Sequence, residues 1–285
     1  MNPNLAPQFR KYLEMSDEER IYFIQKDKWI DYPLANKVLL KMQDIFNAPK
    51  SIRSKGMLLY GDSNNGKTAI LKKFYRDFSK DEYIDEDGDL IHLMPIVYVL
   101  SESSSDESVM FNKILSAMNV PTNHKEKIAK IKEEVIYHLG IMKTKLIIID
   151  EIQNVLQGPY NKMTQLITSL KTLNNTTGIP IILAGTQDAM SAISIDNQTK
   201  SRFKPLELVN WNNDENFSRF ITTIEAMLPL KKASNLYQNY EVLTYLHELS
   251  NGCIGEVIDI LKDASIYAIR TKSERITKKE IKEIL

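Results

Sequence analysis

The chain has 285 residues, 43% hydrophobic and 26% charged, with 37 lysines and arginines balanced by 37 aspartates and glutamates. That length corresponds to about two structural units and that apolar fraction to ordinary buried cores, which excludes a disordered or collagen-like chain. One cysteine, Cys253, excludes an intrachain disulfide framework, the four histidines (His92, His124, His138, His247) lack zinc spacing, and no uncharged apolar run approaches the roughly 20 residues of a membrane span.

The opening stretch MNPNLAPQFRKYLEMSDEER has no apolar segment of the kind a signal peptide needs, so a soluble, cytoplasmic protein without a membrane partner is expected. Proteins that hold DNA through bulk charge are strongly basic, because neutralised phosphates release counterions. A net charge of zero therefore assigns any DNA binding to a local patch or to many copies acting together.

Residues 1–50 read as a mostly polar helical extension. Ser16 and Glu19 have the spacing of a capping box, opening a helix through Ile21, Phe23 and Ile24. Tyr32-Pro33 interrupts it, after which Ala35, Val38, Leu39, Met42, Ile45 and Phe46 recur at helical spacing. Residues 51–209 alternate strand, loop and helix. Strands are expected at Met57–Tyr60, Ile96–Leu100, Leu146–Ile149 and Ile181–Ala184, and a weaker one at Leu206–Val209. Helical periodicity fills Ile70–Phe78, Val109–Met118 and Met163–Leu173. The acidic stretch Asp81–Asp89 reads as a solvated loop. Strands without a polar face, alternating with helices, indicate a five-stranded parallel α/β sheet covered on both sides. Residues 210–285 carry only helical patterns (Phe217–Met227, Tyr240–Leu249, Gly255–Ile269, Thr277–Leu285), the last with a second capping box at Thr277 and Glu280.

Gly61, Asp62, Ser63, Asn64, Asn65, Gly66, Lys67 and Thr68 fit G-x-x-x-x-G-K-[ST] without deviation, after an apolar strand and at a helix start that runs on into Ala69. Glycines let the backbone wrap phosphates and turn its amides inward, and the helix N-terminus adds its positive end. Lys67 supplies a cation for the β- and γ-phosphates and Thr68 a hydroxyl for Mg²⁺, so ATP and Mg²⁺ are the expected cofactors. The strand ending in Asp150-Glu151 places two carboxylates at the sheet edge where ligands bind. Asp150 suits Mg²⁺ through its water shell, and Glu151 suits the base that polarises an attacking water. A carboxylate pair at a strand end can also merely cap it; the phosphate loop weighs towards catalysis. Thr186 follows the next strand, where a hydroxyl can contact the γ-phosphate or the water. Arg202, just before the last strand, can reach a neighbour's γ-phosphate in trans, and a surface salt bridge is an equally simple reading for it.

The order of these motifs, with a helical C-terminal lid, resembles the AAA+ ATPases. The wording is most similar to the TniB/TnsC/MuB family of transposition regulators. It lies in Ile30-Asp31-Tyr32-Pro33, Tyr60 to Thr68, Ile149-Asp150-Glu151-Ile152-Gln153-Asn154, Ala184-Gly185-Thr186 and Lys200-Ser201-Arg202-Phe203. The resemblance implies Thr186 as a sensor, Arg202 as an arginine finger, and residues near Ile30 and Tyr32 as the adenine pocket. One departure stands out: the lid turn Asn251-Gly252-Cys253-Ile254-Gly255-Glu256 carries no arginine where many AAA+ lids have one. Slow, regulatory ATP hydrolysis suits that departure.

By the same resemblance, copies of the chain assemble on double-stranded DNA as ATP-dependent rings or filaments. They then mark the target for a TniA/TnsB-like transposase, with help from a TniQ/TnsD-like selector. Candidate DNA contacts are Lys113, Thr122, Asn123, Lys125, Lys127 and Lys130, near a helix start where positive charge gathers. A solvated helix face is the simpler reading for any one of these lysines. The other function class is a nucleotide-switched signalling or scaffold ATPase acting on protein partners without DNA.

Overall fold

The computed structural model describes residues 2–51, 54–79, 81–84, 90–123, 125–156, 158–194 and 197–285, with the side chains of 81–84 and 90–92 outside the description. In chain order the elements begin with α1 (Asp17–Gln25), α2 (Pro33–Asn47), β1 (Gly56–Tyr60) and α3 (Lys67–Phe78). They continue with β2 (Asp81–Ile84), β3 (Leu90–Leu93), β4 (Ile96–Leu100), α4 (Glu107–Ala117), α5 (Ile128–Ile141) and β5 (Leu146–Asp150). Next come α6 (Gln153–Leu156), α7 (Tyr160–Thr177), β6 (Ile181–Gly185), α8 (Gln187–Ser194), α9 (Asn197–Arg202) and β7 (Phe203–Glu207). The chain closes with α10 (Glu215–Glu225), α11 (Tyr240–Ser250), α12 (Ile254–Arg270) and α13 (Lys278–Lys282). Packing divides them into two compact units. One comprises residues 1–32, 64–66 and 209–285, the other residues 33–63 and 67–208. Thus α2 groups with the sheet, whereas α1 groups with the C-terminal helices.

The sheet unit contains five parallel strands in the order β4-β5-β6-β1-β7. Every residue of β5 and β6 is buried, as continuous runs of isoleucine and leucine demand when helices cover both faces. The strand order reverses at β1, and the loops after β1, β5 and β6 open at the same carboxyl edge. That is where ligands bind in open α/β sheets. Beneath it, Leu58, Ile147, Ile149, Leu166, Leu170 and Leu183 form the centre of one continuous core. β7 starts at Phe203, three residues before the strand expected from the sequence, and its outer side is an edge. A second departure is the acidic stretch. Its flanks pair as the antiparallel hairpin β2–β3, Asp81 opposite Leu93 and Ile84 opposite Leu90. Residues 85–89 lie outside the description. The acidic and apolar residues come in pairs (Asp81-Glu82, Tyr83-Ile84) rather than alternating, so the sequence carries no strand periodicity there.

In the helical unit both expected capping boxes are present, Ser16 with Glu19 and Thr277 with Glu280. Its core includes Phe217, Ile221, Leu246, Val257, Leu261 and Ile269. An ion cluster is buried with it. Arg20, fully buried, donates to both oxygens of Glu274 at 2.8 and 2.7 Å, to Asp17 at 2.7 Å and to the Pro229 carbonyl at 3.0 Å. Among the described residues, no helix is long and apolar enough to cross a membrane.

Candidate functional site: a phosphate loop on an acidic strand

The phosphate loop leaves β1 at Gly61, whose N–H donates to the Gly185 carbonyl at 3.3 Å. A Cβ at Gly61 would stand 2.5 Å from the Leu208 carbonyl oxygen, so no larger residue fits there. Gly66 takes φ +83° immediately before α3, turning the loop into the helix. Lys67 is almost fully buried, and its ammonium donates to the carbonyls of Gly61 (2.9 Å) and Asp62 (2.6 Å). The loop thus arches around a single cation.

One turn along, Thr68 donates its hydroxyl to Oδ2 of Asp150 at 2.8 Å. Asp150 has no exposed surface, and it collects two further donors: the Tyr98 hydroxyl on Oδ2 at 2.6 Å and the Glu151 N–H on Oδ1 at 2.9 Å. Burial, together with the bond to Asp150, pushes the Tyr98 phenol well above its ordinary range. Tyr98 lies on the neighbouring strand β4, in register two residues before the end of β5. Nothing in the periodicity of β4 marks it as a site residue, and the sequence reading missed it.

Glu151 adopts φ +57°, a left-handed conformation that costs a non-glycine residue of order 1 kcal/mol. The Ser101 hydroxyl lies 2.6 Å from the carbonyls of Asp150 and Glu151 and helps hold that turn. The Glu151 carboxylate accepts from the side-chain amide of Gln153, whose own oxygen accepts from the Thr186 N–H at 3.2 Å. Gln153 therefore bridges the two expected catalytic positions, a role its place in the sequence did not announce. The Thr186 hydroxyl is buried with no hydrogen-bond partner among the described residues. Buried polar atoms are almost always hydrogen-bonded, so this hydroxyl, on a residue tied to Glu151 through Gln153, keeps a hydrogen-bonding capacity that a ligand can satisfy.

Among the described residues no cluster of three or more His, Cys, Asp or Glu is arranged to hold a metal. The hydroxyl–carboxylate pair Thr68–Asp150 fits Mg²⁺, a hard ion that takes few protein oxygens and fills its shell with waters and phosphate oxygens. Arg202 stands apart from this group: at the end of α9 it donates to Asn175 at 2.7 Å and to the Ser54 carbonyl at 3.4 Å.

The three loop residues 64–66 pack in the helical unit. Asn64 donates to both Glu256 and Asp259 at 3.0 Å, and its carbonyl accepts from the Gly255 N–H at 2.9 Å. A Cβ on Gly255 would collide with that carbonyl, which accounts for glycine there. Asn65, buried, donates to Asn210 at 2.9 Å and accepts from the Ile254 N–H. In the same unit Tyr32 is buried against Trp211 and Phe220, with ring centroids at 5.6 and 5.9 Å, while Ile30 is half-buried. Burial raises the Tyr32 phenol above its ordinary pKa.

The candidate DNA residues do not converge in the same way. Lys113 on α4 pairs with Glu102, Lys130 pairs with Glu126, and Lys132 pairs with Glu107 at 2.9 Å. Asn123 accepts from the Lys125 N–H at 3.0 Å, and Lys125 and Lys127 are exposed before α5, next to half-buried Thr122. His124 lies outside the described residues.

Comparison with solved structures identifies the fold. The chain superposes on Cdc6p from Pyrobaculum aerophilum with a TM-score of 0.63 at 16% identity, covering 95% of this chain and 72% of that one. It superposes on Aeropyrum pernix ORC1, solved in complex with DNA, with a TM-score of 0.63 at 13% identity, covering 93% and 68%. For Aeropyrum pernix ORC2, solved in ADPNP–ADP complexes, the TM-score is 0.60 at 14% identity, covering 92% and 70%. The fold is the AAA+ P-loop α/β fold. No curated protein sequence matches the chain closely enough to count as a relative. The profile of the family described as "Bacterial TniB protein" matches residues 20–213, which include the phosphate loop, Asp150-Glu151, Thr186 and Arg202. The chain belongs to the TniB family of AAA+ proteins.

Proposed function

We propose that this protein is an ATP-dependent regulator of DNA transposition. It self-associates on double-stranded DNA and marks that DNA for a transposase. The observation that carries the reading is the join of Thr68 to Asp150, with Glu151 tied to Thr186 through Gln153, in a member of the TniB family. Lys67 neutralises the β- and γ-phosphates. Magnesium, when bound through Thr68 and Asp150, offsets phosphate charge. Glu151 accepts the proton of the attacking water, and Gln153 fixes its carboxylate relative to Thr186, whose hydroxyl donates to the γ-phosphate or to that water. Arg202 serves the γ-phosphate of a neighbouring copy, so turnover rises only where copies meet. A neutral chain needs such assembly, because each copy contributes few phosphate contacts and avidity multiplies them. Aeropyrum pernix ORC1, similar in fold, is a protein solved with DNA.

One observation favours a protein-directed switch instead: Lys113, Lys130 and Lys132 already hold carboxylates, whereas Lys125 and Lys127 form no ion pair among the described residues. The two readings separate on one experiment. ATP turnover is measured with and without duplex DNA across a salt series. Stimulation by DNA that fades with salt supports the transposition regulator, and turnover indifferent to DNA supports the switch.

A further inference from the structure

A second concavity, of about 1020 Å³, lies in the sheet unit, at the opposite end of β1 from the phosphate loop. Gly56 and Met57, the first residues of β1, contribute to its floor, whereas the phosphate loop follows Tyr60. One wall is the outer face of α2, where Lys37, Leu40, Lys41 and Asp44 follow at three- and four-residue spacing. The opposite face of α2, Ala35, Val38, Met42 and Phe46, is buried in the core. The other wall is the edge strand β7 at Lys204, Pro205 and Leu206.

The groove is amphipathic. Leu40, 64% exposed, forms an apolar strip with half-buried Ile45 and Leu206, over the buried side chain of Met57. Lys37, Lys41, Lys55 and Lys204 stand exposed along it, and Asp44 is the one carboxylate among the described lining residues. None of the four lysines takes part in an ion pair among the described residues.

We propose that this groove docks a helical segment of a partner protein, with leucine or aromatic anchors on one face and aspartates and glutamates flanking them. Charge complementarity selects the carboxylates, since four cations face one anion. The edge selects a helix over a strand. Leu208 N–H donates to Tyr60, so residues 204 and 206 also direct their backbone to β1, and 203, 205 and 207 direct theirs outward. That outward set includes Pro205, which has no N–H, and an edge interrupted by proline resists strand addition. A nucleic acid backbone would satisfy the lysines and leave the apolar strip wet. The chain's own most acidic stretch, Asp81–Asp89, begins in a β-hairpin, and α12, which carries Glu256, Asp259 and Asp263, has its apolar face buried at Val257, Leu261 and Ala264, so neither offers a second copy's matching segment.

The test uses the full-length protein and two fluorescein-labelled synthetic helical peptides with the same leucine stripe, one flanked by glutamates and the other by lysines. Anisotropy is expected to rise only with the glutamate peptide, and its affinity to fall with salt. K41E combined with K204E, and separately L40D, are expected to weaken binding by about tenfold or more. These side chains are exposed, so the melting temperature stays unchanged, and the lysine peptide gains binding to the K41E/K204E variant. Equal binding of both peptides, or none by the glutamate peptide, overturns the proposal. So does duplex DNA competing through the same lysines, or K41E/K204E altering self-association while peptide binding is retained.

Discussion

Thr68 and Asp150 are 82 positions apart in the chain, yet a 2.8 Å hydrogen bond joins the helix that follows the phosphate loop to the end of a buried strand. Tyr98 completes the arrangement from a third element by donating to the same carboxylate oxygen. A carboxylate oriented by two hydroxyls and a backbone amide is fixed before any ligand arrives. Removing the Tyr98 hydroxyl (Tyr98→Phe) is expected to raise the Mg²⁺ concentration that nucleotide binding requires by about tenfold, the usual effect of losing an outer-shell partner. Isothermal titration at stepped Mg²⁺ checks this, and an unchanged Mg²⁺ requirement contradicts it.

Glu151 and Gln153 give separable kinetic effects. Glu151→Gln removes the base and should lower turnover by about 100-fold or more while ATP-dependent assembly persists. Gln153→Ala leaves the base in place but unguided, so turnover should fall less and nucleotide affinity should hold. Single-turnover hydrolysis beside equilibrium binding distinguishes the two. Normal hydrolysis by Glu151→Gln would remove it from the catalytic role.

The lid turn makes a steric prediction. Gly255 sits against the Asn64 carbonyl, and a methyl group has no room there. Gly255→Ala should destabilise the helical unit by about 1–3 kcal/mol through overpacking. Asn64→Ala, which removes the bonds to Glu256 and Asp259 and places alanine at φ +57°, should cost about 1 kcal/mol, less than the backbone collision at Gly255. Thermal melts of both variants rank them.

The Arg20 cluster predicts acid sensitivity. Bonds from Lys272 and Arg20 hold the Asp17 carboxyl at about 2. Burial works the other way on Glu274, but Arg20 and the Lys231 N–H together hold it below its usual range. A depressed carboxylate pKa contributes stability that is complete above the unfolded value near 4 and is lost as pH falls towards the folded one. Stability of the helical unit should therefore decline from about pH 4.5 down to about pH 2. Glu274→Gln leaves Arg20 buried with half its charge partners gone, at a cost of about 3 kcal/mol near neutral pH, and flattens the acid decline. Chemical denaturation across pH reads both effects.

The phosphate loop was legible in the sequence because its chemistry is local: eight consecutive residues, a strand before them and a helix after them. The strands were legible for the same reason, as runs such as Leu146–Ile149 fit only a sheet covered on both faces. What could not be read depended on register. Tyr98 reaches Asp150 only because β4 lies beside β5, and Gln153 links Glu151 to Thr186 only because α6 follows β5 next to β6. Arg20 and Glu274 look like surface charges in their own helices and turns, and their burial follows from the packing of α1 on α12. The hairpin β2–β3 carried no strand periodicity to read.

The central claim is that nucleotide bound at this loop joins copies of the chain along duplex DNA. The most direct measurement is negative-stain electron microscopy of purified protein with duplex DNA at low salt, with a non-hydrolysable ATP analogue and Mg²⁺, beside the Lys67→Ala variant. Regular rings or filaments on DNA for the wild type, and bare DNA for the variant, are the predicted result. Dispersed single particles and naked DNA with saturating nucleotide would contradict it.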